Sequence, residues 1–150
     1  MDKELQSNLF NKYKDLFATR NRLDMGKLMM PIDFGIEFGN GWYFILDNLL
    51  YCIDSYIKNH NKWNKKEGEP DLTLDVTQIK EKFGGLRFYY NGGNDEIEGM
   101  VHLAETLCNN TCEECGINQD VGRTSGWIIT LCKSCAEKAG KLEKWQLKIK

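Results

Sequence analysis

The chain has 150 residues and a formal net charge of −2, with 20 lysines and arginines against 22 aspartates and glutamates. This length allows one domain with at most a small appendage, and it can bury a core without needing disulfides or metal merely to fold. The charge balance argues against a strongly basic nucleic-acid-binding protein, and no run approaches the ~20 apolar residues of a membrane span. The charged first six residues lack the apolar core of a secretion signal, which predicts a cytoplasmic protein without a membrane partner.

Two helices are predicted in the first 60 residues. Apolar side chains recur at helical spacing over residues 4–17, and again more strongly from Trp42 to Ile57. A glycine-rich stretch at 31–41 precedes the second helix, and Asn40 is its predicted N-cap. The polar residues 58–71 predict an exposed loop.

A hairpin and a third helix are predicted next. Residues 72–90 contain two alternating runs separated by Phe83-Gly84-Gly85, which is typical of two antiparallel strands. Asn94, Asp95 and Glu96 then predict the start of a helix that carries its apolar residues on one face as far as Cys108.

The small net charge conceals two opposite blocks. Residues 91–120 carry seven acidic side chains and no lysine or arginine, whereas residues 121–150 carry seven basic and two acidic side chains. Such blocks are most simply solvated faces, but the lysine-rich tail from Lys138 to Lys150 is a candidate contact for nucleic acid.

Six cysteines are the strongest chemical signal, because four of them form two C-x2-C pairs. Cys112 and Cys115 make the first pair, and Cys132 and Cys135 make the second after sixteen intervening residues. This spacing is typical of a zinc ribbon, in which two tight turns supply four thiolates to one tetrahedral Zn²⁺. Gly116 fits the first turn, because the residue after a metal knuckle often needs positive φ.

The predicted zinc is structural, because four thiolates saturate the ion and leave no position for water. A redox dithiol is the main alternative for a C-x2-C pair, but two pairs at ribbon spacing favour zinc. Gly126 and the apolar residues after it predict a strand that delivers Cys132. Cys52 and Cys108 lie on predicted helices and are expected to be packed thiols, although Cys108 could compete as a metal ligand.

The sequence argues against an enzyme without excluding one. The two histidines, His60 and His102, lie at polar positions, and none of the familiar hydrolase, metalloprotease or P-loop motifs occurs. A loose alternative is a Mg²⁺-dependent nuclease, because Pro70-Asp71 and Gln78-Ile79-Lys80 resemble a nuclease motif that lacks its second acidic ligand. No catalytic residue is therefore assigned.

The hairpin is the best candidate for ligand binding. Cations can attract phosphate, glycines let a ligand approach the backbone, and aromatic rings can stack a base. The simpler interpretation is an amphipathic hairpin with its cations outside and its aromatic rings in the core. Gly39-Asn40-Gly41 could add backbone N–H donors for an anion, or could be a plain capped turn. The predicted ligand-binding residues are Lys80, Lys82, Gly84, Gly85, Arg87 and Tyr89.

Three blocks of the sequence together resemble a family of small uncharacterised proteins of phages, prophages and bacteria. The blocks are FGIEFGNGW at 34–42, TQIKEKFGGLRFY at 77–89, and TCEECG at 111–116 with Gly126-Trp127 and Leu131-Cys132. The resemblance implies no enzyme activity. It implies a mobile-element setting, in which small proteins that bind and inhibit host machinery are frequent.

The sequence thus predicts an α+β fold with helices packed on a small antiparallel sheet or hairpin and a C-terminal zinc ribbon. The predicted division is an α+β core at 1–108 and, at 109–150, the ribbon with a basic C-terminal helix. The leading functional hypothesis is a non-enzymatic binding protein, a phage-type inhibitor or counter-defence factor that binds a host protein or a small nucleotide in the host cytoplasm. A nucleic-acid-binding zinc-ribbon regulator is the alternative, and self-association stays open.

Overall fold

The structure is a computed structural model that describes residues 1–21 and 29–147. Mixed helix and sheet confirm the predicted fold class. The elements in chain order are α1 (Lys3–Lys12), β1 (Ile36–Glu37), α2 (Tyr43–Asn59), β2 (Leu74–Lys82), β3 (Gly85–Gly92), α3 (Asp95–Cys108), β4 (Val121–Thr124), β5 (Thr130–Cys132), α4 (Lys133–Lys138) and β6 (Trp145–Leu147).

The helix predicted at 4–17 is two elements, α1 and a 3-10 turn at Lys14–Phe17. The break lies at Tyr13, whose φ of −117° and ψ of 38° are not helical. The Tyr13 hydroxyl donates to Asp47 Oδ1 at 2.7 Å, which ties this break to helix α2. The bend thereby turns Leu16 and Phe17 into the core.

Helix α2 follows a 3-10 turn at Asn40–Trp42, and the predicted N-cap is wrong. The Asn40 side chain does not cap α2 but accepts a hydrogen bond from the Asp2 backbone N–H at 2.9 Å and donates to Asp2 Oδ2 at 2.7 Å. The side chain is thus engaged by the N-terminal segment. A π-helical turn at His60–Asn64 extends α2 into the region predicted as loop. Among the described residues, no helix combines the length and apolar character that a membrane crossing requires.

The predicted hairpin is confirmed by strands β2 and β3, which pair antiparallel, while β1 pairs with β2 in parallel. The register places Lys80 opposite Arg87 and Lys82 opposite Gly85. The two-residue loop Phe83-Gly84 has positive φ at both positions, 54° and 72°, as a type I′ hairpin turn requires.

Helix α3 covers the sheet and contacts both α2 and β3. Its predicted start is confirmed, because the Asn94 side chain caps the helix by accepting from the Ile97 N–H at 3.3 Å. Acidic side chains in its first turn interact favourably with the positive end of the helix dipole and stabilise the helix. The buried face consists of Ile97, Val101, Ala104 and Cys108.

The C-terminal region forms a second three-stranded sheet in the order β5-β4-β6. The expected basic C-terminal helix is present only as the six residues of α4. It ends because Gly140, at φ 65°, closes a Schellman motif in which Gly140 N–H donates to Glu137 O and Lys141 N–H to Ala136 O. The chain beyond returns as β6, which pairs antiparallel with β4. The tail's Lys148 and Lys150 lie outside the described residues.

Candidate metal centre

The four predicted cysteines come together beside the C-terminal sheet. All four Sγ atoms lie within 4.8 Å of one another, and the Cys115 and Cys132 sulfurs are 3.7 Å apart. A tetrahedral Zn²⁺ with Zn–S bonds of about 2.3 Å holds its sulfurs ~3.8 Å apart, so the thiols fit the ion that the sequence predicts. The cluster can hold one metal ion, and its all-sulfur donor set favours zinc.

The first pair lies in a tight knuckle. The Cys112 N–H donates to Ile117 O at 2.8 Å, and the Gly116 N–H donates to Cys112 O at 2.9 Å. Gly116 has a φ of 77°, which confirms the predicted need for positive φ after the knuckle. These two bonds fold the chain back on itself, so that Cys112 and Cys115 face the same point.

The second pair comes from a strand end and a helix start. Cys132 is the last residue of β5, and Cys135 lies in the first turn of α4. The Cys135 backbone N–H donates to Cys132 Sγ at 3.4 Å, which is the type of contact that stabilises a metal-bound thiolate. The predicted strand that delivers Cys132 is confirmed, although it begins at Thr130 and is shorter than expected.

Protonation of the thiols couples metal binding to pH. Burial raises the pKa of the Cys112 and Cys135 thiols, so a dication that binds them must displace their protons. Burial also opposes ionisation of Cys115, but the Ile117 N–H and the neighbouring thiols outweigh burial and lower the pKa of the Cys115 thiol. When bound, zinc would cross-link the two knuckles.

The other two cysteines behave differently from each other. Cys108 is fully buried in the hydrophobic core, at the end of α3, as predicted, and burial raises the pKa of its thiol. Cys52 is exposed, so the prediction that it fills core space is wrong. Cys52 lines an apolar cavity of about 340 Å³ between α2 and α3 instead, because the buried stripe of α2 passes through Leu49 and Ile53 rather than through position 52.

The knuckle packs directly on the turn before α2. The Gly41 N–H donates to Glu113 O at 2.7 Å, and the Gly39 N–H donates to Glu113 Oε1 at 3.1 Å. The Trp42 indole N–H donates to Thr111 O at 2.8 Å inside the core. The Gly39 and Gly41 N–H donors of the anion site predicted at Gly39-Asn40-Gly41 are therefore taken by Glu113, one by its carboxyl group and one by its backbone oxygen.

Glu113 is a buried carboxyl that the sequence did not single out. It is 8% exposed, and its Oε2 has no hydrogen-bond partner. Burial raises the pKa of this carboxyl to about 7, against the lowering effect of the Gly39 N–H. Nothing local in the sequence marks Glu113, because its burial results from contact with a turn 74 residues away.

The six predicted ligand-binding residues divide into two groups. Gly84 and Gly85 are buried against the C-terminal region: the Thr130 hydroxyl donates to Gly84 O, and a Cβ on Gly85 would lie 2.9 Å from Asn109 Oδ1. These glycines therefore allow close packing between the hairpin tip, Phe83 to Gly85, and the part of the chain that carries the four cysteines, residues 109–147, here called the metal-binding region.

The four other side chains lie on or beside the outer face of the hairpin. The Lys80 ammonium lies 5.7 Å from the centre of the Tyr89 ring, and Arg87 Nη1 donates to Leu86 O at 2.7 Å. Lys82 lies at the end of β2, with its ammonium 5.5 Å from the Phe83 ring centre. The outer cations match the predicted amphipathic hairpin, but only part of its aromatic set does, because Phe88 is buried while Phe83 and Tyr89 are exposed. A ligand at these side chains stays a prediction.

The residues of the predicted nuclease motif do not form a metal-binding cluster in the described part of the chain. Asp71 pairs with Lys65 at 2.6 Å, and Lys80 lies on β2 over Tyr89. Within residues 1–21 and 29–147, the four cysteines are the one group of three or more histidine, cysteine or carboxylate side chains close enough to share an ion.

Comparison of the chain with protein-family models, with curated proteins and with solved structures finds no match. The four thiolates of the cluster would close the coordination sphere of a zinc ion, which is the arrangement of a structural metal centre.

Proposed function

We propose that this chain is a non-enzymatic, zinc-stabilised binding protein whose partner is another protein. The narrower proposal is a phage-type inhibitor or counter-defence factor that acts on a host protein in the host cytoplasm. The resemblance of three sequence blocks to small phage and prophage proteins supports this narrower proposal. The four-cysteine cluster supports the structural role of the metal.

One observation carries the proposal of a protein partner: two large aromatic side chains are exposed beside the same cleft. Trp127 is 78% exposed and Phe83 is 65% exposed, and both line a cavity of about 480 Å³ between the hairpin tip and the metal-binding region. Tryptophan and other aromatic side chains are enriched among the residues that dominate protein–protein binding energy. Their exposure costs solvation free energy in the free protein, and a partner that covers them would recover it.

The charges of the cleft favour a protein over a nucleotide. Two carboxylates, Glu37 and Glu81, line it together with one ammonium, Lys82. Phosphate groups would meet net negative charge there.

Site-specific photo-crosslinking tests this proposal. A photoreactive phenylalanine analogue replaces Trp127 in one zinc-loaded sample and Trp63 in a control, since Trp63 is similarly exposed (70%) but does not line the cleft. In a bacterial lysate, we expect a discrete protein adduct from position 127, and none from position 63. Loss of the adduct after chelation of the metal would support the role of zinc in the scaffold.

The same experiment can contradict the proposal. Equal adducts from both positions, or none from position 127, would count against a partner at the cleft. Chemical turnover of a co-purified molecule by the intact protein would show that the chain is an enzyme instead.

A further inference from the structure

The cleft between the hairpin tip and the metal-binding region is built by two turns that touch each other. Gly84 of the hairpin tip accepts a hydrogen bond from the Thr130 hydroxyl at the start of β5. A Cβ on Gly84 would lie 3.1 Å from Ile128 Cγ2, so any larger residue here would push the two turns apart by a few tenths of an ångström and would also have to adopt a φ of 72°. The cleft is lined by Glu37, Glu81, Lys82, Phe83, Gly126, Trp127 and Ile128.

Both aromatic side chains are carried on well-defined turns. Phe83 has a φ of 54°, which places a bulky residue in the left-handed region at the first position of the hairpin loop. The backbone at Trp127 is held by buried Thr124, whose hydroxyl donates to Trp127 O at 2.7 Å and accepts from the Ile129 N–H at 2.9 Å. The rings therefore flank the cleft from fixed backbone positions, which lowers the entropy lost on binding.

A carboxylate that lines the same cleft is held by a backbone N–H. Glu81 Oε1 accepts from the Gly84 backbone N–H at 2.5 Å, which orients this side chain at the hairpin tip. Glu37 adds a second carboxylate from β1. One cation of the chain already uses an aromatic face here, because the Lys82 ammonium lies 5.5 Å from the Phe83 ring centre.

We propose that this cleft binds a cationic side chain, the guanidinium of arginine or the ammonium of lysine, presented by the protein partner. Aromatic faces attract such cations, and carboxylates at the edge of the rings neutralise their charge. The Lys82 ammonium already lies near the Phe83 ring, so the Trp127 ring is the aromatic face available to a partner's cation. Glu81 supplies the oriented carboxylate. The inference rests on the proposed function, since it names the chemistry by which the protein partner is recognised.

Lys82 gives the proposal a test with a definite sign. A bound cation competes with the Lys82 ammonium for the Phe83 ring and is repelled by its charge, so Lys82→Ala tightens binding of a cation. An anion such as a nucleotide gains from Lys82, so the same substitution would weaken anion binding.

The experiment uses the zinc-loaded full chain and three probes: a decapeptide alternating arginine and glycine, the same peptide with glutamate in place of arginine, and ATP without added metal. Two-dimensional ¹H–¹⁵N NMR follows the indole N–H of Trp127, identified by its loss in Trp127→Phe. We expect the arginine peptide alone to shift this resonance. Backbone amide resonances in the same spectra report binding to variants that lack this indole. Trp127→Ala weakens binding of the arginine peptide by about tenfold, as a desolvated cation–aromatic contact predicts, whereas Trp63→Ala leaves it unchanged.

Two further variants separate charge from folding. Glu81→Gln keeps an oxygen acceptor for the Gly84 N–H but removes the charge, so it weakens the arginine peptide by roughly fivefold and reduces the salt dependence of binding. Lys82→Ala strengthens it by about twofold, an effect that an unfolded variant cannot produce. Unchanged dispersion of the remaining amide resonances confirms that each variant is folded.

The outcomes distinguish this inference from the proposed function. If ATP shifts the Trp127 resonance and the arginine peptide does not, or if Lys82→Ala weakens the peptide, the cation site is refuted. A protein adduct at position 127 in the crosslinking experiment would then still support a protein partner of different chemistry. If the arginine peptide binds as predicted but no adduct forms, the cation site stands and the proposed protein partner fails.

Discussion

Gly41 tests whether the metal knuckle and the α+β core are one structural unit. A Cβ at this position would lie 2.5 Å from Gly116 N and 2.7 Å from Glu113 O, and closer still to Cys112 O. Ordinary contacts of a carbon atom lie at about 3.5 Å, so the knuckle would have to retreat by roughly 1 Å. The φ of Gly41 is outside the left-handed region, so the substitution Gly41→Ala acts by steric conflict alone.

The magnitude follows from two losses. Overpacking costs about 1–3 kcal/mol, and displacement of the 2.7 Å bond from the Gly41 N–H to Glu113 O costs a further ~1 kcal/mol. The sum of about 2–4 kcal/mol is a large part of the stability of a domain this size, and it corresponds to a fall in Tm of roughly 4–16 °C. Because the displaced atoms belong to Cys112, Glu113 and Gly116, we also expect zinc affinity to fall by about tenfold, the equivalent of about 1.4 kcal/mol.

Thermal unfolding by circular dichroism and zinc competition with a chromogenic chelator measure both effects. Gly99→Ala is the matched control, because a Cβ there meets no atom within 4 Å and Gly99 lies inside helix α3. Alanine is a better helix former than glycine, so the control gains about 0.5–1 kcal/mol. A Gly41→Ala protein with wild-type Tm and wild-type zinc affinity would refute the packing of the knuckle on this turn.

Three further predictions concern the metal, the core and pH. Cys115→Ser reduces the bound metal well below one zinc per chain by elemental analysis, whereas Cys52→Ser leaves it at one, because the Cys52 thiol is not part of the four-cysteine cluster. Trp42→Phe removes a buried 2.8 Å hydrogen bond and part of a fully buried ring, so urea unfolding should show a loss of about 2–4 kcal/mol, and no measurable loss would contradict the assigned contact. Burial raises the pKa of Tyr13 to about 12 from 10, so the folded chain keeps a proton that the unfolded chain loses above pH 10. Stability conferred by this phenol is therefore complete below pH 10 and is lost as the pH rises towards 12, and the deficit of Tyr13→Phe in urea unfolding should shrink over that interval. A deficit independent of pH would show that Tyr13 is not the group responsible.

Local patterns were sufficient for most elements. Apolar spacing located helices α2 and α3, because a helix that buries one face repeats its apolar residues every three to four positions. The Asn94 cap and the hairpin were also readable, since a cap and a two-residue turn depend on residues close together in the chain. The end of α4 also has a local signal, Gly140 with its positive φ, and the chain beyond it is strand β6 and not the predicted helix.

Errors arose where a distant contact decides the role of a residue. Asn40 has the chemistry of an N-cap, but its side chain bonds to Asp2, 38 residues earlier. Cys52 lies beside the buried stripe of α2, which passes through Leu49 and Ile53, and the packing of α2 in the fold leaves its thiol exposed at the cavity next to α3. The close packing of Gly84 and Gly85 against Thr130 and Asn109 likewise depends on residues far away in the chain, and their role in ligand binding stays a prediction.

The sequence by itself determined helices α2 and α3, the hairpin and the four-cysteine cluster, because periodicity, capping and the two C-x2-C pairs depend on residues near one another. Only the tertiary structure decided that Glu113 fills the turn before α2 and that Phe83 and Trp127 flank one cleft. These pairs are 44 residues or more apart, and their contact depends on how the metal-binding region packs against the core. Thr130 of β5 links both features. Its backbone oxygen accepts from the Glu113 N–H, and its hydroxyl donates to Gly84 O at the hairpin tip beside the cleft.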